Sequence, residues 1–563
     1  MLELAEDPQL ARQQLNGLIF YLTTFSYIDG DFDPEEITFI RDTIQKVIAH
    51  RVKSSKYGDD HQVRHTLVRR LTHEFEGVFD KVLGEVTVIL NEAVAEAERQ
   101  HAHVTSKLKQ RCFEIFQSFD PDMQKEMIAT ADGLLMADGH AHAAEVELRN
   151  ELIALLDAPV EVFVEPPFVE RNVEIRELEA LPHEPAALPY FTALEKHYVR
   201  DDEARSSQLG ADRALIHATL ATLDTQREHG RGRLAGMRTV EDVPPGEPFL
   251  DDFVYVVPPM PNKRYDVTVI GDLHGCYSNV KAALMQSRFL EKVEQYRTVP
   301  AGHPEPKLVF LGDYLDRGHL SFEGVLRLAM HLFTTYPDHV YLLRGNHELF
   351  AEHEGEIVSA VHPAEAIARL RPRAPTEQLA DNGRLFNAMP GILILGRLIL
   401  THGGIPRDAV VAETVTDLAG LNDWTVRFQM MWSDPSIVDV IPRSLQESTY
   451  RFGFGKLQCL NFLQRLGCHT LIRGHEHLQR GFGAIFDDER FLAVTVFSSG
   501  GPTNRDLPEA SDFRRTHPMA LTLDMTGDPN GPTRLDAWPI DYEPYNAPER
   551  NGFYATDPEI PFE

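Results

Sequence analysis

Five polar islands constrain this chain more than any other feature, because each directly follows an apolar run and is built almost wholly from Asp, Asn, His, Arg and Gly. They are Gly271-Asp272-Leu273-His274-Gly275, Gly312-Asp313-Tyr314-Leu315-Asp316-Arg317-Gly318, Arg344-Gly345-Asn346-His347-Glu348, His402-Gly403-Gly404 and Arg473-Gly474-His475-Glu476. The apolar runs before them are short and rich in β-branched and aromatic residues: Tyr265 to Ile270, Lys307 to Leu311, His339 to Leu343, Arg397 to Thr401 and His469 to Ile472. Such runs read as strands. Helical patterns from Ser278 to Val293, Ser321 to Thr334 and Leu457 to Leu466 alternate with them, and a further strand is expected from Phe491 to Phe497. An α/β layered fold follows, with the islands at strand C-termini, where open α/β sheets hold their ligands.

The island side chains share one chemistry. Asp272 and His274 are two residues apart, so a loop leaving a strand can turn both toward one ion; Asp313, Asn346, His402 and His475 arrive from four other strand ends. Oxygen and nitrogen donors without a thiolate suit first-row metals such as manganese, iron or zinc, and a carboxylate placed like Asp313 can bridge two ions. Two ions about 3.5 to 4 Å apart acidify a shared water and clamp the oxygens of an in-line displacement at phosphorus. Hydrolysis of a phosphate ester is the chemistry expected.

Together the islands resemble the phosphoprotein phosphatase branch of the calcineurin-like metallophosphoesterases, over roughly Arg264 to Met525. That resemblance implies a layered β-sandwich flanked by helices and a protein serine/threonine phosphatase activity. By resemblance, Asp272, His274 and His475 with bridging Asp313 hold one divalent metal, and Asp313, Asn346 and His402 hold the other. His347 is then the general acid, oriented by Asp316, and Arg317 holds phosphate oxygens. Residue chemistry agrees: an imidazolium beside a carboxylate can donate a proton, and a guanidinium matches phosphate bidentately. Arg344 and Glu348 read as structural residues of their loop, and His353 and His362 as residues of a surface or insert.

The resemblance lapses in two places. The family has a second phosphate-binding Arg before a Phe-x-Phe-Gly turn; here Phe452-Gly-Phe-Gly455 supplies the turn, but Ser448 stands in register. Arg451 is the residue assigned that role, with Arg443 as the alternative. The family's Ser-Ala-Pro-Asn-Tyr segment reads Ser498-Ser499-Gly500-Gly501-Pro502, without the tyrosine. Leu349 to Asn387 is expected to form helices beside the cleft.

The residues before the islands divide differently. Leu15, Leu18, Ile19 and Leu22, and then Ile37, Ile40, Ile44 and Ile48, recur at helical spacing, so an all-α domain is expected over 1–157, with another helical run from His61 to Arg99. Asp33-Pro34-Glu35-Glu36 has the cap and acidic first turn of a helix start. Tyr27 to Glu36 is echoed by Met136 to Glu145, a weak helix-turn-helix repeat resembling TerB-like domains. Asp29, Asp31 and Asp33 begin like an EF-hand, but Pro34 and Ile40 stand where Gly and a bidentate Glu belong, so a capped turn is expected. His140 and His142 read as solvated residues of an acidic turn. Residues 158–262 read as a Pro-rich linker with one helical segment from Ala193 to Thr225, 263–530 as the phosphoesterase domain and 531–563 as a tail.

Charge and cysteines bound the partners. With 86 Asp plus Glu against 55 Lys plus Arg, a net charge of −31 and no basic run, neither nucleic acid nor an anionic membrane is an expected partner. Four scattered cysteines predict a reducing compartment, and the acidic start Met-Leu-Glu-Leu-Ala-Glu-Asp lacks the pattern of a signal peptide; the expectation is a cytoplasmic protein. Its substrate would be a phosphoprotein or a small phosphoester. Two other readings share the residues: a dinucleoside polyphosphate hydrolase, disfavoured by His274 where that family often carries Gln, and a helical half that binds a protein partner and regulates the phosphatase.

Overall fold

The structure is a computed structural model that describes residues 8–27, 34–54, 68–72, 77–79, 81–82, 89, 94–95, 100–134, 143–157, 170–186, 188–353 and 355–558. These fall into two compact units: one from within 1–94, 98–162 and 436–449, the other from 95–97, 163–435 and 450–563.

The first unit is helical. Its longer helices are Pro8–Tyr27, Pro34–Ser54, Gln100–Gln117, Pro121–Leu134 and Ala143–Asp157. The spacing seen in the sequence is the spacing of the core: Leu18, Ile19 and Leu22 pack with Ile40, Ile44 and Ile48, and with Leu108, Phe116, Met127, Leu148 and Leu152. Asp120 caps Pro121–Leu134 by accepting from the Met123 amide at 2.9 Å. The turns carrying Asp29, Asp31, Asp33, His140 and His142 lie outside the described residues, as does most of His61 to Arg99.

The second unit contains two β-sheets. One runs Val173–Glu177, Thr533–Pro539, Met519–Thr526, Arg264–Ile270, Glu305–Phe310, Val340–Leu342; the other runs Phe482–Asp487, Leu492–Val496, Thr470–Arg473, Leu398–Thr401, Ile392–Leu395, Val254–Val257, Phe249–Asp251. Val267, Leu308, Leu521 and Leu535 of the first and Leu393, Leu400, Ile472 and Val494 of the second share one buried core, so the sheets form a sandwich. Arg264–Ile270, Glu305–Phe310 and Val340–Leu342 pair in parallel, as do Leu398–Thr401, Thr470–Arg473 and Leu492–Val496. Parallel neighbours end on the same side, which brings their loops together.

Several stretches expected to lie outside the domain are built into it. Val173–Glu177, in the expected linker, pairs in parallel with Thr533–Pro539, in the expected tail. The helical segment begins at Asp201, whose carboxylate caps Asp202–Gly230, and not at Ala193. Asp212 on this helix takes both Nε and Nη2 of buried Arg327 at 2.8 Å and the Tyr198 hydroxyl at 2.6 Å. The insert after Leu349 starts as a hairpin, Phe350–His353 with Glu356–Ser359, before the helices Glu365–Leu370 and Thr376–Ala388. Ser278 to Val293 is two helices, Tyr277–Gln286 and Phe289–Thr298, broken where Arg288 adopts φ 54°. Among the described residues no helix is long and apolar enough to cross a membrane.

Candidate metal centre

All five islands converge at the C-terminal ends of their strands. Asp272 follows Arg264–Ile270 and bridges to Phe497 beyond Leu492–Val496. Its Oδ1 accepts from the His475 amide at 2.8 Å, while its Oδ2, buried, has no hydrogen-bond partner. The His274 Nδ1 lies 2.8 Å from the Leu315 carbonyl, which fixes the proton there and turns Nε2 to within 3.4 Å of Asp313 Oδ2 and 3.9 Å of Asp272 Oδ2. From the opposite side His402 Nε2 lies 3.4 Å from Asp313 Oδ1 and 2.9 Å from Asn346 Oδ1. The donor atoms of His274, Asp313 and His347, and those of Asp313, His402 and His475, each lie within 4.8 Å of one another. Asp313 is common to both groups, and Asp272 adjoins through His274 and His475.

Backbone strain marks the same residues. Of seven non-glycine residues with positive φ among those described, five are His274, Asp313, Asp316, Arg317 and His475. Such conformations cost on the order of 1 kcal/mol or more each and persist where surrounding structure enforces them. Glu348 supplies the enforcement: its carboxylate accepts from the amides of Asp313 at 2.9 Å, Tyr314 at 2.8 Å and Gly345 at 3.0 Å. Arg344 holds the other end of the loop through the Glu348 carbonyl at 3.0 Å and Asn387. Two glycines are required by close approach: a Cβ on Gly345 would stand 2.2 Å from Asp313 Oδ1, and one on Gly474 2.1 Å from Asp272 Oδ1.

The electrostatics call for a cation. Burial, then Asp272 and Glu348, pushes the Asp313 carboxyl well above its usual range, and burial pushes Asp272 up to about 7. Burial also lowers His274, His402 and His475 well below the ordinary imidazole value, leaving neutral rings that can ligate. His475 Nε2 is buried without a hydrogen-bond partner. Crowded carboxylates, neutral imidazoles and orphaned donor atoms together fit divalent metal ions, with oxygen and nitrogen donors and no thiolate. All four cysteines are buried, and none lies among these groups.

Around this centre stand a histidine and two arginines. His347 Nδ1 lies 2.6 Å from Asp316 Oδ2, whose other oxygen accepts from the Ala366 amide at 2.7 Å. That leaves His347 Nε2 facing the centre, 3.9 Å from Asp313 Oδ2. Burial, then Arg317 and Arg451, holds the His347 imidazole well below its usual pKa, so both guanidiniums reach its vicinity. Arg317 pairs with Glu365 at 3.0 Å, and Arg451 Nε with Asp434 Oδ2 at 2.7 Å. Arg443, the alternative to Arg451, pairs with Glu447 on a short helix of the other unit and is exposed; Ser448 hydrogen-bonds Ser106 there.

Asp434 escaped the sequence reading. Its Oδ1 accepts from Nη2 of fully buried Arg473 at 2.8 Å while its Oδ2 takes Arg451, so one carboxylate fixes both. No island marks it; the signal was an acid shortly before an unregistered Arg. Phe513 was missed as well. Its ring lies 5.3 Å from that of His274 and 4.7 Å from that of His477, and so supplies an aromatic wall where the expected tyrosine is lacking. Ser498 and Ser499 act on the backbone instead: Ser498 Oγ accepts from the Gly271 amide at 2.8 Å, and Ser499 Oγ donates to the Asp272 carbonyl at 2.7 Å. His362 is exposed on the insert.

A two-sheet sandwich presenting Asp, Asn and His from five strand ends is a metallohydrolase scaffold. Residues 265–479 match the family described as Calcineurin-like phosphoesterase, and the chain carries a domain of that family. It is similar to a probable serine/threonine-protein phosphatase of Encephalitozoon cuniculi, 27% identical over 240 residues, covering 42% of this chain and 47% of that protein. Similarity extends to the serine/threonine-protein phosphatase 4 catalytic subunit of Eremothecium gossypii, 27% identical over 237 residues, covering 41% of this chain and 68% of that protein. A solved protein serine/threonine phosphatase from Saccharomyces cerevisiae, similar to human phosphatase PP5, overlaps with a TM-score of 0.37 at 17% identity, covering 57% of this chain and 89% of that one. The chain thus spans about half the length of the first of these relatives.

Proposed function

We propose that this protein is a metal-dependent phosphoester hydrolase acting on phosphoserine or phosphothreonine in proteins. The observation that carries this reading is the buried cluster around Asp313 with the His347–Asp316 pair 2.6 Å apart at its edge. Asp272, His274 and His475 with Asp313 would hold one divalent ion, manganese by preference and iron or zinc otherwise; Asp313, Asn346 and His402 would hold the second. Bound there, the pair supplies an acidified water and a clamp on phosphate oxygens.

The chain's own groups do the rest. Arg317 and Arg451 approach the same face of the centre, and two planar guanidiniums grip a phosphate and align its ester oxygen. Asp316 keeps the His347 proton on Nδ1 and favours the imidazolium, so that Nε2 can protonate the leaving alkoxide. An arriving phosphate dianion offsets the two arginines that otherwise hold His347 neutral. Phe513 and His477 line the edge beside His274, where the peptide flanking the phosphate would lie.

Turnover of phosphopeptides with manganese tests the reading. His347→Asn is expected to lower kcat by about 10²- to 10⁴-fold, the usual contribution of a general acid. Full activity of that variant would reject the assignment. Faster release of nucleoside diphosphate from diadenosine tetraphosphate than of phosphate from any phosphopeptide would place the substrate among nucleotides instead.

A further inference from the structure

The helical unit is not contributed by the N-terminal residues alone. The chain leaves the phosphoesterase unit after Pro435, gives residues 436–449 to the helical unit, and returns at Tyr450. Within the helical unit this excursion is firmly seated. Ile441 and Leu445 are 1% and 5% exposed and belong to the core that holds Leu108 and Phe116.

Both ends of the excursion are fastened to one helix, Gln100–Gln117. Ser436 Oγ donates to Glu114 Oε1 at 2.7 Å at the start of the excursion. At its end Ser448 Oγ lies 2.5 Å from Ser106 Oγ, and Thr449 Oγ1 lies 3.1 Å from His103 Nδ1. Gln110 adds its amide to Glu114 Oε1 at 2.9 Å. His103, Ser106, Gln110 and Glu114 follow one another at three- and four-residue spacing and so form one stripe of the helix. All four are buried. A buried polar stripe is costly unless satisfied, and here the excursion satisfies it.

The feet of the excursion are residues of the candidate site. Asp434, two residues before Ser436, holds Arg451 and Arg473; Arg451 itself comes two residues after Thr449. Asp434–Pro435 and Gly453–Phe454 pair as a short parallel bridge, so the two feet are tied together. Any shift of the excursion on helix Gln100–Gln117 is therefore delivered, within two residues of chain, to the carboxylate and guanidinium that face the phosphate.

We infer that residues 436–449 are a strap through which the helical unit positions Arg451 for phosphate capture, so that events on helix Gln100–Gln117 tune substrate affinity. This rests on the reading of Arg451 as a phosphate ligand. Arg451 is the group that touches substrate; Ser106, His103, Ile441 and Leu445 are positioning residues acting through it. The consequence is kinetic: the strap governs KM and leaves the proton transfer from His347 alone.

Steady-state kinetics of the full chain on a phosphopeptide with manganese tests this. Ser106→Ala with His103→Ala, which leaves the core intact, and Ile441→Ala with Leu445→Ala, which loosens it, are each expected to raise KM about tenfold, the scale of a charge-assisted contact, with kcat within about twofold. Ile441→Val should restore KM. In an Arg451→Ala background the same substitutions should add nothing further. Unchanged KM in both strap variants, while Arg451→Ala alone raises it, overturns the strap and keeps the arginine; so does an undiminished effect in the Arg451→Ala background. Unchanged KM in Arg451→Ala removes the arginine reading and the strap with it.

Discussion

At the scale of the residue, the candidate centre is defined as much by what fixes its donors as by the donors themselves. Asp316 is 2.6 Å from His347 and owes its own orientation to the Ala366 amide. Asp316→Asn should therefore lower kcat at least about tenfold with little change in KM, since it alters the tautomer and charge of the acid but not the phosphate grip; pre-steady-state and steady-state rates would show it. Gly474→Ala places a methyl 2.1 Å from Asp272 Oδ1 and should lower metal affinity, read by titration of the apoprotein. Outside the centre, Asp506 is buried, accepts from the Ser278 amide at 2.6 Å and from the Tyr554 hydroxyl, and has its carboxyl pushed up to about 6 by burial. A folded value above the unfolded one of about 3.9 means that the stabilisation is complete below pH ~4 and is lost as pH rises through ~6. Between pH 5 and 7.5 the wild type should lose roughly 1 kcal/mol relative to Asp506→Asn, measured as converging or crossing thermal midpoints. These residues differ in legibility. The island residues stand in Gly-flanked clusters after strands and were visible in the sequence. Asp434 was not, because its meaning comes from Arg451 and Arg473, which reach it only after folding.

At the scale of the element, the strands that carry islands were legible and those that only complete the sheets were not. Arg264–Ile270, Glu305–Phe310, Val340–Leu342, Leu398–Thr401, Thr470–Arg473 and Leu492–Val496 lie close to their sequence expectations, since buried parallel strands are near-continuous apolar runs. Val173–Glu177, VEIRE in sequence, is a polar edge strand whose partner lies about 360 residues away, and nothing local announces it. Phe249–Asp251 and Val254–Val257 sit between prolines that read as linker, yet the first caps the edge of the seven-stranded sheet. The segment after Gly501 is an element without a sequence signal too. Its 3-10 turn Asp512–Arg515 sets Phe513 against His274 and His477. Phe513→Ala should raise KM for phosphopeptides more than for inorganic or small phosphoesters, since only a peptide reaches that wall; a parallel rise for both would place Phe513 in supporting the centre instead.

At the scale of the whole molecule, the chain order conceals the two units. Helical spacing disclosed the core of Ile40, Ile44 and Ile48, but not that Ile441 and Leu445, some 400 residues later, complete it. A chain beginning at residue 163 would leave Ile441 and Leu445 without the core that buries them. It should be less soluble than the full chain, and substitution of both by Ser or Gln should restore solubility; sedimentation after expression would show it. The net charge of −31 works the same way at this scale: it keeps the full chain dispersed and makes a local pair of arginines the means of attracting a phosphate. The central claim is that the cluster around Asp313 holds two catalytic metal ions. It is tested most directly by metal analysis and phosphopeptide turnover on the same samples of wild type and Asp313→Asn. The account predicts close to two divalent ions per wild-type chain, with fewer ions and turnover at least about a hundredfold lower in Asp313→Asn. Wild-type turnover in Asp313→Asn, or full activity after complete chelation, would contradict it.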